Sequence, residues 1–551
     1  MKCRSILFVV LWPLLGVGAE SPAAMEFSAR GGLRHSPETL LLTADHAAPV
    51  YFTTNGAPAS PTNGVRYTEP LRLVTTTTVR AVTAGRGANV AAEQIITFIF
   101  PEMVVRQTGA GFPIHWGTHA GSTVLADYEM DPEVVTNAAY RDGMVAALEA
   151  LPSLALTLDL ADLFGEERGL YTHPQESGED WERPVFVEFF PTNGAAGFRE
   201  RAGLRIQGGW NRRPEESPKH SFRIVFKKKY GVGKLKSPLF GDGVKEFDQL
   251  ILRGGNNHSW LHWSAEERRS ADYLRDQWMR ESYAAMGRVS ARGRFVHLYL
   301  NGLYWGIYNL VERPDEHFAA AHFGGSASNY DTRNADKVLS GDDAAWKQLF
   351  ALANRGVTNT AQLAAVSELL DVPAFCDYML LNLYGANADW DAASNWYATR
   401  RRNATGRFVF FVWDGERTLE KITDNRIAVD DDFSPTRLWQ RLRACPEFRE
   451  SFARQARRHL TGTGALTPAQ AANRFRQLSD ALDLAIVAES ARWGDYRRDA
   501  HPYKEAPYEL YTRDSHWRPE VQRLLIDYFP KRSSAFIEQL KAAQLYPAEL
   551  D

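Results

Sequence analysis

Asn387-Ala388-Asp389-Trp390-Asp391, then Asn395, and beyond a hairpin Trp413-Asp414-Gly415-Glu416, form the stretch on which the reading of this chain turns. It follows an apolar, helix-like run from Tyr378 to Tyr384. Trp396 to Arg400 reads as a strand, Arg402 to Gly406 as a polar turn, and Arg407 to Trp413 as the returning strand. The run Phe408-Val409-Phe410-Phe411-Val412 is long enough to be buried on both faces, so its end projects Asp414 from a rigid element. A carboxylate and an amide on one loop, followed by an acidic pair at a strand end, supply oxygen ligands for a divalent cation. Hard cations such as magnesium bind phosphates alongside one or two carboxylates. The blander reading of the same acids is that they cap turns and helices, or hold calcium structurally.

Working outward, a second stretch carries positive charge. Arg205-Ile206-Gln207-Gly208-Gly209-Trp210-Asn211-Arg212-Arg213 is a strand entering a glycine turn, and Pro218-Lys219-His220-Ser221-Phe222-Arg223 opens the next strand. Paired glycines let backbone N–H groups approach an anion, which Lys or Arg on the returning strand can neutralise. Lys219, Ser221 and Arg223 alternate onto one face. Further strands are expected at Val185–Phe190, Gln249–Arg253, Phe295–Leu300 and Leu303–Leu310, with Asn301-Gly302 turning the last pair. Ser264 to Gly287 is expected to be one helix, because Ser264 and Glu267 have capping-box spacing and Leu274, Trp278 and Met279 form a stripe. Beyond Asp371 helices dominate. Arg275 and Asp276 point different ways on that expected helix, so one of them is expected to bridge to a neighbouring loop rather than to act as a catalytic pair.

The 551 residues are 44% hydrophobic, 24% charged and 12% aromatic, the profile of a globular protein too long for a single core. Lys+Arg 64 against Asp+Glu 67 leaves a net charge of −3, which excludes nucleic-acid binding by bulk charge. Met1-Lys2-Cys3-Arg4, the apolar run Ile6 to Val17 and Val17-Gly18-Ala19 have the order of a secretory signal peptide over residues 1–19. No later stretch is long and apolar enough to span a membrane, so the mature protein is expected to be exported and soluble, without an integral membrane segment. Cys376 and Cys445 read equally as one disulfide or two buried thiols. Residues 26–100 read as a small all-β sandwich, with turns at Asn55-Gly56 and Gly85 to Gly87, and 101–200 as a connecting segment of uncertain fold.

Two resemblances organise these parts. Val50-Tyr51-Phe52-Thr53-Thr54-Asn55-Gly56, with Tyr67 and Thr76-Thr77-Thr78-Val79-Arg80-Ala81, resembles the Ig-like module at the C-terminus of chitobiases and hexosaminidases. It implies an accessory module of an extracellular protein, a spacer or else a contact for carbohydrate or cell envelope. The order of parts from Asp389 to Glu416 parallels protein kinases, although Asp389 to Asn395 is one residue longer than the kinase spacing. More specifically, residues 201–545 resemble the CotH kinase family, named for a spore-coat protein. The resemblance rests on Gly208-Gly209 with Arg212, Pro218-Lys219 with Ser221-Phe222-Arg223, Leu252-Arg253-Gly254 and Arg275-Asp276. It extends through Asn301-Gly302-Leu303-Tyr304-Trp305-Gly306-Ile307-Tyr308 with Glu312, Asp389-Trp390 with Asn395, Trp413-Asp414-Gly415-Glu416 and Arg492-Trp493-Gly494.

The family resemblance implies a multidomain chain: the sandwich, then an α+β atypical protein-kinase-like domain with a helical C-terminal portion. It implies ATP with Mg or Mn as cofactor, and phosphorylation of Ser or Thr on a secreted or surface protein in the periplasm, the extracellular space or at the cell surface. Asp389 would orient or deprotonate the acceptor hydroxyl, Asn395 and Asp414 would hold metal, and Glu416 would be a further ligand. Gly208, Gly209, Arg212, Lys219 and Arg223 would bind the phosphates, and Glu312 would position one of those groups. Three positions depart from the family pattern: His220 stands for a second Lys, Asn211 for Ser and Glu416 for Asp. The alternatives are a catalytically silent binding or structural protein of the same fold, or transfer of another group such as AMP.

Overall fold

The computed structural model describes residues 25–45, 48–84, 93–119, 121–192, 194–241, 243–390, 394–432 and 434–546. The expected signal peptide, the Gly85–Gly87 turn and Asp391 lie outside the described residues. The N-terminal region is all-β. A five-stranded sheet runs in the order Gly32–Leu33, Gln94–Ile99, Thr77–Thr83, Val50–Thr53, Val65–Arg66, beside the pairs Met25–Phe27 with Leu42–Ala44 and Glu38–Leu40 with Leu71–Leu73. Alternating Leu, Val and Ile bury Leu40, Leu42, Leu73, Val79, Ile96 and Phe98 in its core.

Seven strands close into a barrel: Ser153–Thr157, Arg183–Phe190, Phe198–Gln207, Ser221–Val225, Gln249–Arg253, Leu303–Glu312 and Gly293–Leu300. Neighbours are antiparallel, except that Ser153–Leu156 pairs in parallel with His297–Leu300 to complete the ring. The segment 101–200 therefore contributes two strands and part of a third to the barrel. Short helices lie at Pro101–Val104, Pro132–Val135, Met144–Glu149 and Leu160–Phe164. The Asn301-Gly302 hairpin has φ 48° and 86°, the positive values that a two-residue type I′ turn requires.

Helix Ile486–Trp493 lies against the strand Leu303–Glu312 and explains why two distant stretches of aromatic residues occur together. Trp493 Nε1 donates to the Trp305 carbonyl at 2.8 Å, and the Arg492 guanidinium lies 3.9 Å from the Trp493 ring and 4.9 Å from the Trp305 ring. Gly306, at φ 100°, is what allows this approach: a Cβ there would stand 2.6 Å from Glu489 Oε2 and 2.7 Å from Trp493 Nε1.

A second sheet of four antiparallel strands runs Lys337–Ser340, Tyr330–Asn334, Trp396–Arg401, Val409–Val412. It packs with the almost wholly buried helix Val372–Gly385 and the C-terminal helices around the largest core. Cys376 and Cys445 are both buried and free, so they are two thiols and not a disulfide. Among the described residues no helix is long and apolar enough to cross a membrane.

The helix expected over Ser264–Gly287 is two helices, Ala265–Arg269 and Arg275–Ala285. Asp272 accepts the Leu274 N–H at 2.7 Å and Tyr273 takes φ 64°, which turns the chain between them. Glu267, expected to close a capping box on Ser264, instead accepts the His258 N–H at 3.1 Å, and Ser264 makes no side-chain cap. The local signal was outcompeted by a contact with a loop.

Candidate functional site

A cleft of about 600 Å³ separates the barrel rim from the loops of the second sheet. On the rim side it is lined by the turn Gln207–Asn211, by Ser221, and by Arg253, Asn256 and Asn257. On the other side lie Asp389, Ser394, Asn395, Trp413, Asp414 and Glu416, with Trp263 and Lys504 at the mouth. The acidic stretch and the glycine turn, nearly 180 residues apart, thus meet across one space.

Each wall is built by local chemistry. Gly208 has φ 121°, and the side-chain oxygen of Asn211 folds back to where a Gly208 Cβ would stand, so the turn needs glycine there. Asn395 at φ 66° and Asp414 at φ 58° hold left-handed conformations, which Asn and Asp tolerate better than other non-glycine residues. Asn395 Nδ2 donates to the Asp389 carbonyl, tying the two ends of that loop together. Asp414 ends the strand Val409–Val412, and the loop after it is clamped by the helix Arg275–Ala285. Asp276 Oδ1 accepts the Gly415 N–H at 3.0 Å, and Arg275 donates to the Thr418 carbonyl at 2.6 Å. Arg275 and Asp276 thus both bridge to this loop, one more than expected.

Arg253 is the cation at the centre. Its Nη2 donates to Asp414 Oδ1 and to Glu416 Oε1 at 2.7 Å, and its Nε lies 3.3 Å from Asp276 Oδ2. Burial opposes the guanidinium charge, but Asp276, Asp414 and Glu416 outweigh it and hold its pKa well above the ordinary value. Burial pushes Glu416 up to about 8, with Arg253 pulling the other way. The second Glu416 oxygen accepts backbone N–H groups from Asn256 at 3.3 Å and Asn257 at 2.9 Å.

Not every sequence-assigned residue reaches this cleft. Asp389, Asn395, Asp414, Glu416, Gly208 and Gly209 line it together. Arg212 instead donates to the carbonyls of Gly208 at 2.7 Å and Glu176 at 2.7 Å, bracing the turn from outside. Arg223 donates to Gln207 Oε1 at 2.9 Å. Lys219 is buried, ion-paired with Glu489 and donating to the Ile307 carbonyl at 2.8 Å. Glu312 pairs with Arg292 at 3.1 Å and His322 at 3.1 Å on another face of the strand. Sequence reasoning quoted Arg253 as a family match and gave it no role; the carboxylates it serves lie 161 and 163 positions away.

His220 packs inside the barrel, its ring 5.0 Å from that of Tyr171. Burial pushes its pKa down to about 3, far below the usual value near 6.5. A depressed histidine contributes stability that is present above the unfolded pKa and is lost as pH falls toward the folded one. Replacing His220 by Phe should therefore remove one acid-sensitive group. Between pH 7.5 and pH 5 the urea stability of the wild type should fall by about 2 kcal/mol more than that of His220→Phe. Equal losses in the two proteins would mean that His220 is charged in the fold.

Fold and cleft together define a multidomain α+β protein with an oxygen-rich cleft between a β-barrel and the loops of a second sheet. Residues 204–535 match the family model described as CotH kinase protein, and residues 29–94 match the chitobiase/beta-hexosaminidase C-terminal domain, in the expected order. The first match spans more than half of the chain, which belongs to the CotH kinase family. Among curated proteins none matches the chain.

Proposed function

We propose that this chain is an exported protein kinase that takes the γ-phosphoryl group of ATP, with Mg or Mn, to a Ser or Thr hydroxyl of a secreted or surface protein. The observation that carries the reading is the meeting of Asp389, Asn395, Asp414 and Glu416 with the Gly208-Gly209 turn across one cleft. Its volume lies in the range of small-molecule sites, about 300–1,000 Å³. Among the described residues no three His, Cys, Asp or Glu side chains form a metal cage by themselves. A nucleotide-borne cation needs only one or two protein carboxylates, because phosphate and water supply the rest. The donor set therefore fits.

In this reading Asp414 and Asn395 would hold the cation, with Glu416 beside them, and the bound ion would supply charge neutralisation at the phosphates. The turn Gly208–Asn211 offers backbone N–H groups to the phosphates. Asp389 accepts the proton of the acceptor hydroxyl as its oxygen bonds to the γ-phosphorus. The bond from that phosphorus to the bridging oxygen breaks, and ADP leaves. Positioning and charge neutralisation do most of this work. Phosphate neutralisation by Lys219 has no support in its placement, because it is paired with Glu489 away from the cleft, and Arg223 is engaged in holding the cleft residue Gln207.

The test is thermal melting with ATP and Mn, separately and together, followed by mass analysis of a phosphorylated acceptor. A ligand that binds only the native state at a hundredfold excess over its Kd stabilises by about 2.7 kcal/mol. Wild type should shift with ATP and Mn together and Asp414→Asn should not. A wild type without any shift at millimolar ligand would favour the silent binding protein.

A further inference from the structure

Arg253 stands where a cation must go. Asp414 Oδ1 and Glu416 Oε1 both accept from the same nitrogen, Nη2. A metal ion bridging these two oxygens would meet that nitrogen. The remaining Glu416 oxygen is already taken by the N–H groups of Asn256 and Asn257. The guanidinium also lies 5.2 Å from the centre of the Trp413 ring, which walls one side of it. A cation shared between the facing oxygens of the carboxylate pair would therefore displace the Arg253 fork.

Its other contact is of a different kind. Nε faces Asp276, which is fixed independently by Arg280 at 3.1 Å and by the Gly415 N–H at 3.0 Å. Beside the side chain is a small pocket of about 30 Å³, bordered by Gly255, Asn257, Asp276, Asn309 and Glu416. That is room for a water molecule, which needs roughly 10–15 Å³ by the same kind of measure. The Asn309 side-chain Nδ2 that borders it is buried and has no protein partner, while its Oδ1 accepts from Arg280 at 2.6 Å. Because Asp276 is held by other groups as well, Arg253 Nε keeps a fixed carboxylate beside it when the fork leaves the other two.

We infer that Arg253 is an internal counter-cation that closes the metal-binding carboxylates in the ligand-free protein and releases them when nucleotide phosphates arrive to take its fork. The inference rests on the kinase reading above and adds how that site is regulated. Guanidinium exchanges carboxylate for phosphate readily, since both accept its paired N–H groups in the same planar geometry. A metal ion alone must break two charge-assisted hydrogen bonds with nothing offered to Arg253 in return. Metal with nucleotide offers a phosphate. Metal and nucleotide consequently bind as a coupled pair, each raising the affinity for the other. Arg253 is a positioning residue in this scheme.

The experiment is calorimetric titration of Mn into the full chain, with and without a non-hydrolysable ATP analogue, for wild type, Arg253→Gln and Arg253→Lys. Loss of a charge-assisted competitor should make Arg253→Gln bind Mn alone about tenfold or more tighter than wild type, an advantage that shrinks with the analogue present. Arg253→Lys keeps the charge without the fork and should fall between, which preserves the test if the Gln variant does not fold. Equal Mn affinity in wild type and variants, with the Mn–analogue pair still bound, would overturn the counter-cation and leave the nucleotide site standing. Failure of every protein to bind Mn with the analogue would overturn the kinase reading and this inference with it. A crystal structure of wild type with Mn and the analogue supplies a measurement free of any variant: a guanidinium still bonded to both Asp414 and Glu416 would overturn the inference.

Discussion

Lys219→Ala should lower the stability of the protein by about 3–5 kcal/mol, the cost of removing one member of a buried ion pair. Lys219 and Glu489 are each 1% exposed, and 270 positions separate them in the chain. The ammonium also donates to the Ile307 carbonyl at 2.8 Å and lies 5.1 Å from the Tyr308 ring. Glu489 accepts the Ile307 N–H at 2.7 Å through its other oxygen. Removing the lysine leaves a carboxylate in the interior with one backbone donor and no cation. Most of the loss arises from that stranded charge and not from the value of the pair itself. The double variant Lys219→Met with Glu489→Gln should therefore recover much of it, since Gln still accepts from Ile307 and carries no charge. Urea unfolding of the three proteins measures this directly. A Lys219→Ala midpoint equal to wild type would mean the pair is not closed in solution.

The same pair shows where the sequence stops being readable. Two local signals were sound: Asn301-Gly302 turns its hairpin, and the strand after Gly406 delivers Asp414. These features depend on residues close in the chain, or on a motif whose spacing reports its own geometry. The partners of cations do not. From sequence, Lys219 looks like a phosphate ligand because it stands beside a glycine turn, and nothing near it announces Glu489. Barrel closure is hidden for the same reason, because Ser153–Leu156 meets His297–Leu300 only after the intervening chain has gone round. The broken helix is another case where a local signal misled. Glu267 had the spacing for a cap, but a loop N–H competed for it, and Asp272 made the turn that ended the first helix.

Asp389→Asn should lower kcat by a factor of about 10²–10⁴, the usual contribution of a positioned general base, while leaving the binding of ATP and Mn intact. Asn matches Asp in size, and two of the loop's ties run through Asp389 backbone atoms: its N–H donates to Asn387 Oδ1 at 3.2 Å, and its carbonyl accepts from Asn395. The substitution therefore removes a proton acceptor and keeps those two ties. Asp414→Asn differs, because it weakens a ligand for the cation and releases one bond to Arg253, so nucleotide-dependent stabilisation should fall together with turnover. Melting shifts and turnover measured on both variants separate the two roles. If Asp389→Asn abolished the melting shift as well, Asp389 would belong with the metal ligands and the base would have to be sought elsewhere along the cleft. If it left turnover unchanged, the acceptor would lose its proton without help from this loop, as a loose, metaphosphate-like transition state would permit.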